Sequence, residues 1–282
     1  MRTNYFTRKT LVLASVALCL LGRVAMAQTT RPIQYGNNPA AGQFYDLHGF
    51  RMYTEVYGSG APVLMIHGNN GSISAFSNNI PELAKHFRVI VADSRSQGKS
   101  LDPDHPLTFE MMADDFSDLL DAMHVDSAYV VGWSDGGINA LLLAIRHPEK
   151  VKKLVSTGAN LRPDADAFQP GFWDEEYSEF KASLNKAPSS DKEKNDRKLF
   201  LLDWQQPHIS LAALHKIQCP CLIVCGDHDL ISISHTVLIY QNIRHANLWV
   251  VPNSGHATLI EHADEFNSKC EEFFSSAFVD HQ

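Results

Sequence analysis

The sequence predicts an α/β fold: a doubly wound, mostly parallel sheet carrying an inserted helical cap. Three observations lead there. Continuous apolar runs at residues 63–66, 89–92, 129–131, 154–155, 222–224 and 248–251 lack the alternation of a half-exposed strand, as expected of strands covered on both faces. Stretches of helical period separate them at spacings that suit right-handed crossovers. That rhythm breaks between residues 160 and about 215, where Pro163, Pro170, Pro188 and Pro207 divide short amphipathic pieces, including 172–180 and 198–204. Strand character returns at Cys221. An insertion at that point would lie over the carboxyl ends of the strands and wall a pocket.

At 282 residues, 44% hydrophobic and 10% aromatic, the chain is long enough for one large domain and too apolar for a disordered one. Arg2, Arg8 and Lys9 precede an apolar run over 11–21, and Ala25-Met26-Ala27 follows with small residues at the spacing of a signal-peptidase site. A secretory leader over 1–27, cleaved after Ala27, is expected, with residues 28–282 as a secreted or periplasmic domain. The apolar run is shorter than the roughly 20 residues that span a bilayer, so no stable membrane anchor is expected after cleavage. The leader carries four basic residues and no acid, so its loss takes the formal charge from −8 to −12. Such a charge excludes nucleic acid as an expected partner. The dense basic cluster from Lys192 to Lys198 is interleaved with Asp191, Glu193 and Asp196 and reads as a solvated face.

Four cysteines follow residue 27. Cys219, Cys221 and Cys225 share one side of a predicted strand, where bridges between them would be strained, so at most one disulfide, to Cys270, is easy. They serve equally well as small core residues. Cys219-Pro-Cys221 resembles half a metal site, yet no partner pair lies at suitable spacing, and neither a metal nor a cofactor is expected.

Residues 28–43 are polar, with Pro32 and Pro39, and read as an extended, poorly ordered lead-in. Residues 44–57 alternate as two strands about His48-Gly49, with Met52, Thr54 and Val56 on one face and Tyr53, Glu55 and Tyr57 on the other. An antiparallel hairpin at a sheet edge follows. Phe109, Met112, Phe116, Leu119, Leu120 and Met123 then recur at three- and four-residue steps, the pattern of a helix packing one face on the sheet. Residues 138–145 are apolar nearly all round until His147-Pro148, as expected of a helix buried beneath a site.

Directly before that helix, Gly132-Trp133-Ser134-Asp135-Gly136 forms a GxSxG elbow on a predicted strand-to-helix turn. The turn crowds the backbone, so its flanking positions carry no side chain, and the serine hydroxyl is lifted clear of the sheet. A serine needs a base, an orienting acid and donors for an oxyanion. Other predicted strand ends offer them. His67-Gly68-Asn69-Asn70-Gly71 follows the first parallel strand, and the amide of Asn69 opposite that of Asp135 would make a two-donor oxyanion hole. Gly226-Asp227-His228-Asp229 presents two carboxylates, and Ser254-Gly255-His256 an imidazole.

HGNNG, GWSDGG, GDHD and SGH in this order resemble the α/β-hydrolase family over essentially the whole chain after residue 27. The run GWSDGGINAL, the TGAN at Thr157 to Asn160 and QCPCLIVCGDHD look like the valacyclovirase-type group, whose members cleave amino-acid esters. The resemblance implies a triad of Ser134, Asp229 and His256, the acid being the last residue of a GxxD pattern, with Asp227 as the alternative. In the family's DxRGxGxS loop, here Asp93 to Ser100, Ser96 replaces a glycine. The HGNNG segment is also more polar than in many relatives.

In the valacyclovirase group the acid after the nucleophile binds a substrate's α-ammonium, which would fall to Asp135 through a charge-assisted bond. The cap adds Asp174, Glu175, Glu176 and Glu179 beside Trp173 and Tyr177, and Trp133 and Trp173 are expected to bind substrate with Asp135. His67 is expected to orient the oxyanion loop. The expected activity is that of a carboxylesterase acting on a small-molecule ester, with a leaning toward amino-acid or cationic esters. Alternatives on the same triad are a C–C bond hydrolase or a perhydrolase; a further alternative is a binding protein of slow turnover.

Overall fold

The computed structural model describes residues 32–102 and 104–279, so the leader expected over 1–27 lies outside the described residues. Its strands are β1 (Gly42–Leu47), β2 (Phe50–Gly58), β3 (Ala61–Ile66), β4 (Phe87–Ala92), β5 (Ala128–Trp133), β6 (Val151–Thr157), β7 (Cys221–Gly226) and β8 (Ala246–Val251). They form one sheet in the order β1-β2-β4-β3-β5-β6-β7-β8. β2 runs antiparallel to β1 and β4, and the six strands from β4 to β8 are parallel. The hairpin and the doubly wound sheet expected from the sequence are both present.

Nine α-helical segments are described: α1 (Ile80–Leu83), α2 (Phe109–Ala122), α3 (Asp135–Arg146), α4 (Phe172–Leu184), α5 (Asp191–Gln205), α6 (Leu211–Leu214), α7 (Ile233–Gln241), α8 (Thr258–Glu261) and α9 (Ala263–Ser275). They cover the two sheet faces. Leu64, Ile66, Val130 and Ile223 join one core with α2, α3 and α7, while Val63, Met65, Val131 and Val224 join the other with α1, α8 and α9. Alternate residues thus enter different cores, which is why the strand sequences read as unbroken apolar runs. Thr108 caps α2 by accepting the Met111 amide at 3.1 Å.

The order reverses at β3, which has β4 on one side and β5 on the other. Ligands in open α/β sheets bind outside the carboxyl ends of strands at such a switch point. The register pairs Ile66 with Gly132 and Gly132 with Ser156, which brings the loops after β3, β5 and β6 to one edge.

Some expectations change. The lead-in is not loose over its described part: Glu55, fully buried on β2, accepts the amides of Gly36 and Asn38 at 2.8 Å each, together with the hydroxyls of Tyr53 and Tyr57. A buried carboxylate requires donors, and the polar lead-in supplies two. α4 and α5 are also longer than the amphipathic pieces at 172–180 and 198–204. α5 begins at the Ser190 cap, which accepts the Glu193 amide at 3.2 Å, and buries only Leu199 and Leu202, too few to set up a period. In the basic cluster Lys192 and Lys194 pair with Asp196 and Asp191 on the surface, but Lys198 turns inward and donates to the carbonyls of Asp102 and His105. The four cysteines from Cys219 onward are free thiols, three of them buried.

Ser96 adopts φ +66°, the left-handed region that favours the glycine it replaces. Its hydroxyl donates to the Asp102 carbonyl at 3.1 Å, and Asn195 of α5 donates to its carbonyl at 2.8 Å. Next to it Arg95 is buried over the Phe50 ring, forked onto Asp115 at 2.7 and 2.6 Å and bonded to Asp102 at 2.6 Å. This pairing fixes the loop that backs the switch point.

Candidate active site

β5 ends at Trp133 and α3 starts at Asp135, leaving Ser134 alone in the turn with φ +56° and ψ −121°. A non-glycine residue there is strained, and the surroundings hold it. A β-carbon on Gly132 would come within 2.1 Å of the Gly136 carbonyl oxygen, and one on Gly136 within 1.9 Å of that of Ile66. The glycines let strand, turn and helix close on one another. The Ser134 amide is fixed to the Thr157 carbonyl at 2.8 Å.

The hydroxyl of Ser134 lies 2.9 Å from His256 Nε2, and His256 Nδ1 donates to Asp229 Oδ1 at 2.7 Å. Asp229 is fully buried and also accepts the Ile231 amide at 3.0 Å. Asp227 turns elsewhere: it accepts the Ser254 amide at 3.1 Å and pairs with His228, whose proximity lowers its carboxyl to about 2. Gly158, at φ +65°, underlies the imidazole, where a β-carbon would sit 2.7 Å from His256 Cε1. Trp133 does not line the cavity at Ser134; its indole instead donates to the His256 carbonyl at 2.9 Å, behind the ring.

The loop after β3 approaches the serine closely, since a β-carbon on Gly68 would lie 3.0 Å from Ser134 Cβ. His67 holds it. Its Nδ1 donates to the Gly68 carbonyl at 2.8 Å, its Nε2 accepts the Ser94 amide at 3.0 Å, and burial lowers the ring to about 4, so it is neutral.

The Asn69 side chain makes contacts that sequence reading missed. Its amide nitrogen donates to Asp135 Oδ2 at 2.9 Å, Asp203 Oδ1 at 2.9 Å and the Leu199 carbonyl at 3.2 Å. Asp135 and Asp203 are also hydrogen-bonded to each other. Burial, then the neighbouring charge of Asp203, raises the Asp135 carboxyl well above the usual range. Asp203, hemmed in by protein but open to the cavity, is raised by burial to about 6. Two carboxylates this close do not both ionise freely: as Asp203 loses its proton near that value, its charge holds the remaining proton on Asp135.

These groups border a cavity of about 250 Å³ that includes Ser134, Asp135, Glu176, Phe200, Asp203 and His256 in its lining. Aromatic rings from α4 and α5 form much of its wall, Trp173 and Trp204 meeting at 4.4 Å between centroids. The structure thus brings Ser134, Asp229, His256, Asp135, Asn69 and Trp173 together, and of the acidic run on α4 it turns Glu176 to the cavity. Asp203, in a charged helix, carried no signal of its own, and Gly158 entered only within the TGAN motif. Among the described residues, no three His, Cys, Asp or Glu side chains are grouped so as to hold a metal ion.

Residues 61–195 match the family described as the alpha/beta hydrolase fold. The chain is similar to the 2-hydroxymuconate semialdehyde hydrolase of Pseudomonas sp. (strain CF600), 30% identical over 274 residues that cover 86% of this chain and 96% of that protein. It is similar to the serine hydrolase BPHL of Homo sapiens, 30% identical over 251 residues, or 80% of this chain and 84% of that one. Among solved structures it resembles Est816, described as an N-acyl homoserine lactone degrading enzyme, with a TM-score of 0.69 and 25% identity over 82% of this chain and 100% of that one.

Proposed function

Because the chain belongs to the α/β-hydrolase family, we propose that it is a serine hydrolase cleaving carboxylic esters through an acyl-enzyme. One observation carries the reading: the continuous path from Ser134 Oγ to His256 to the buried Asp229 carboxylate, at 2.9 and 2.7 Å, opening on a cavity. His256 takes the serine proton as Oγ attacks the carbonyl and returns it to the leaving alcohol. Asp229 holds the ring in the tautomer whose Nε2 accepts, and stabilises the imidazolium. The amides of Asn69 and Asp135 hold the oxyanion, the second at the positive end of α3. Water then releases the acyl group by the reverse proton transfers.

The cavity wall supports a preference for amino-acid or other cationic esters. Asp135, Asp203 and Glu176 are acidic, and the aromatic rings beside them add favourable faces for a cation. A second reading, C–C bond hydrolysis, draws on the relative named for 2-hydroxymuconate semialdehyde. That name denotes a carboxylate, which would need a cation, and the described residues lining the cavity include no lysine or arginine. Ester cleavage is therefore favoured.

A fluorophosphonate probe should label the protein and leave Ser134→Ala unlabelled, with ester turnover lost in the variant. Turnover retained by Ser134→Ala overturns the mechanism. A panel pairing amino-acid esters with their N-acetylated forms tests the preference. The free amine should win by about tenfold or more in kcat/KM, the worth of one charge-assisted bond. Equality within each pair rules it out.

A further inference from the structure

A second hollow, of about 360 Å³, lies outside the cavity between α4 and α5 and is lined among others by Glu179, Lys186, Ala187, Arg197 and Phe200. Phe200 is the one described residue that lines both spaces. The two walls are continuous along the helices. On α4, Glu176 faces the cavity and Glu179, one turn on, faces the hollow; on α5, Asp203 and Trp204 face the cavity, and Asp196 and Arg197 face the hollow. Phe200 sits midway, three and four residues from each, on the same stripe of α5.

Its ring is half-buried, tilted against Phe180 and Trp204 at 6.0 and 6.1 Å between centroids, with a space on either side of it. The inner cavity, at about 250 Å³, falls below the roughly 300 Å³ at which ordinary small-molecule pockets begin. Joined to the hollow it would come within that range. The path from Asp203 to Asp196 is roughly 10 Å along the helix axis.

We propose that Phe200 is a swinging partition between the two spaces, and that the substrate is an elongated ester whose remote end passes it to lie in the outer hollow. This rests on the hydrolase reading above. Phe200 touches the part of the substrate away from the carbonyl and so determines chain length, not chemistry. The outer hollow sets Phe200, Ala187 and Pro188 among its charged side chains and so offers an apolar track for an alkyl chain.

The test uses two ester series, p-nitrophenyl alkanoates from acetate to dodecanoate and alkyl glycinates from methyl to octyl, because the chain could lie on either side of the carbonyl. Phe200→Ala should raise kcat/KM for the long members at least tenfold relative to the short ones in one series, and Phe200→Trp should lower it. Ala187→Trp, which fills the hollow far from the reacting groups, should remove turnover of the long members and leave acetate unchanged. Phe200→Leu serves as the milder variant if Phe200→Ala does not fold. Binding of linear alkanols from butanol to decanol, measured by calorimetry, needs no chemistry: affinity should climb with length in the wild type and level off early in Ala187→Trp. Length profiles that superimpose on the wild type in every variant overturn the partition. A protein that binds alkanols in this pattern but hydrolyses no ester would overturn the hydrolase reading and leave the partition standing.

Discussion

Asp227 and Asp229 stand two residues apart in one turn, and only their surroundings separate them. Asp229 is buried against His256 Nδ1, whereas Asp227 is partly exposed and already paired with His228. Asp229→Asn should therefore cost about 10⁴-fold in kcat, and Asp227→Asn less than about threefold, as measured by steady-state turnover. In the sequence only the resemblance to the family, through its GxxD pattern, set one apart from the other. Asp203 was not legible, because its meaning lies in a meeting with Asp135 through Asn69 across more than sixty residues of chain. Cation binding requires the pair in its charged form. The ratio of kcat/KM for an ammonium ester to that for its neutral isostere should rise as pH passes from about 5 to about 7, through the value of about 6 for Asp203. Titrations common to both substrates cancel in the ratio, and Asp203→Asn should flatten it. The sign for stability is opposite. A carboxyl raised in the folded state stabilises the fold most below its unfolded value near 4 and loses that contribution as pH rises through about 6. The Tm of the wild type should accordingly fall relative to Asp203→Asn across that window.

Among the elements, strands and core helices were read well because burial writes a period into them. The unbroken runs of β3, β4, β5 and β7 and the three- and four-residue steps of α2 each reflect faces that the structure buries. α5 illustrates the limit: its sequence from Asp191 to Lys198 is almost wholly charged, and its first turns have the Ser190 cap and surface ion pairs in place of a buried face. The lead-in departs from expectation for the converse reason: its sequence is polar, while the acceptor that orders it, Glu55, stands on a strand some 17 residues on. Glu55→Gln should cost about 2 kcal/mol, because an amide in place of the carboxylate sets donor against donor at part of a four-donor site. Denaturant unfolding measures the loss, and limited proteolysis should show earlier cleavage between residues 34 and 41.

For the molecule as a whole, the order of the motifs along the chain sufficed to place the loops at one edge of the sheet, since parallel strands send their carboxyl ends the same way. The shape of the cavity was beyond reach, because its walls come from α4 and α5, where few apolar residues are buried. The same scarcity predicts uneven stability. α3 buries ten of its twelve residues, and α5 only Leu199 and Leu202. Amide hydrogens of α4 and α5 should exchange well before those of β3, β5 and α3, by hydrogen–deuterium exchange followed by mass spectrometry. Equal protection across these elements would contradict this picture.

Asn69 spans both regimes. A single side-chain nitrogen is bonded to α3, beside the serine, and to α5, while the backbone of the same residue is the proposed oxyanion donor. With the proposed roles, selectivity and turnover are not separately heritable traits in this chain. A graft that exchanges residues 160–215 for those of another hydrolase would carry over its pocket but break the Asn69 linkage to Leu199 and Asp203, so new specificity should arrive with a lower kcat until position 69 is recast to suit the donor helix.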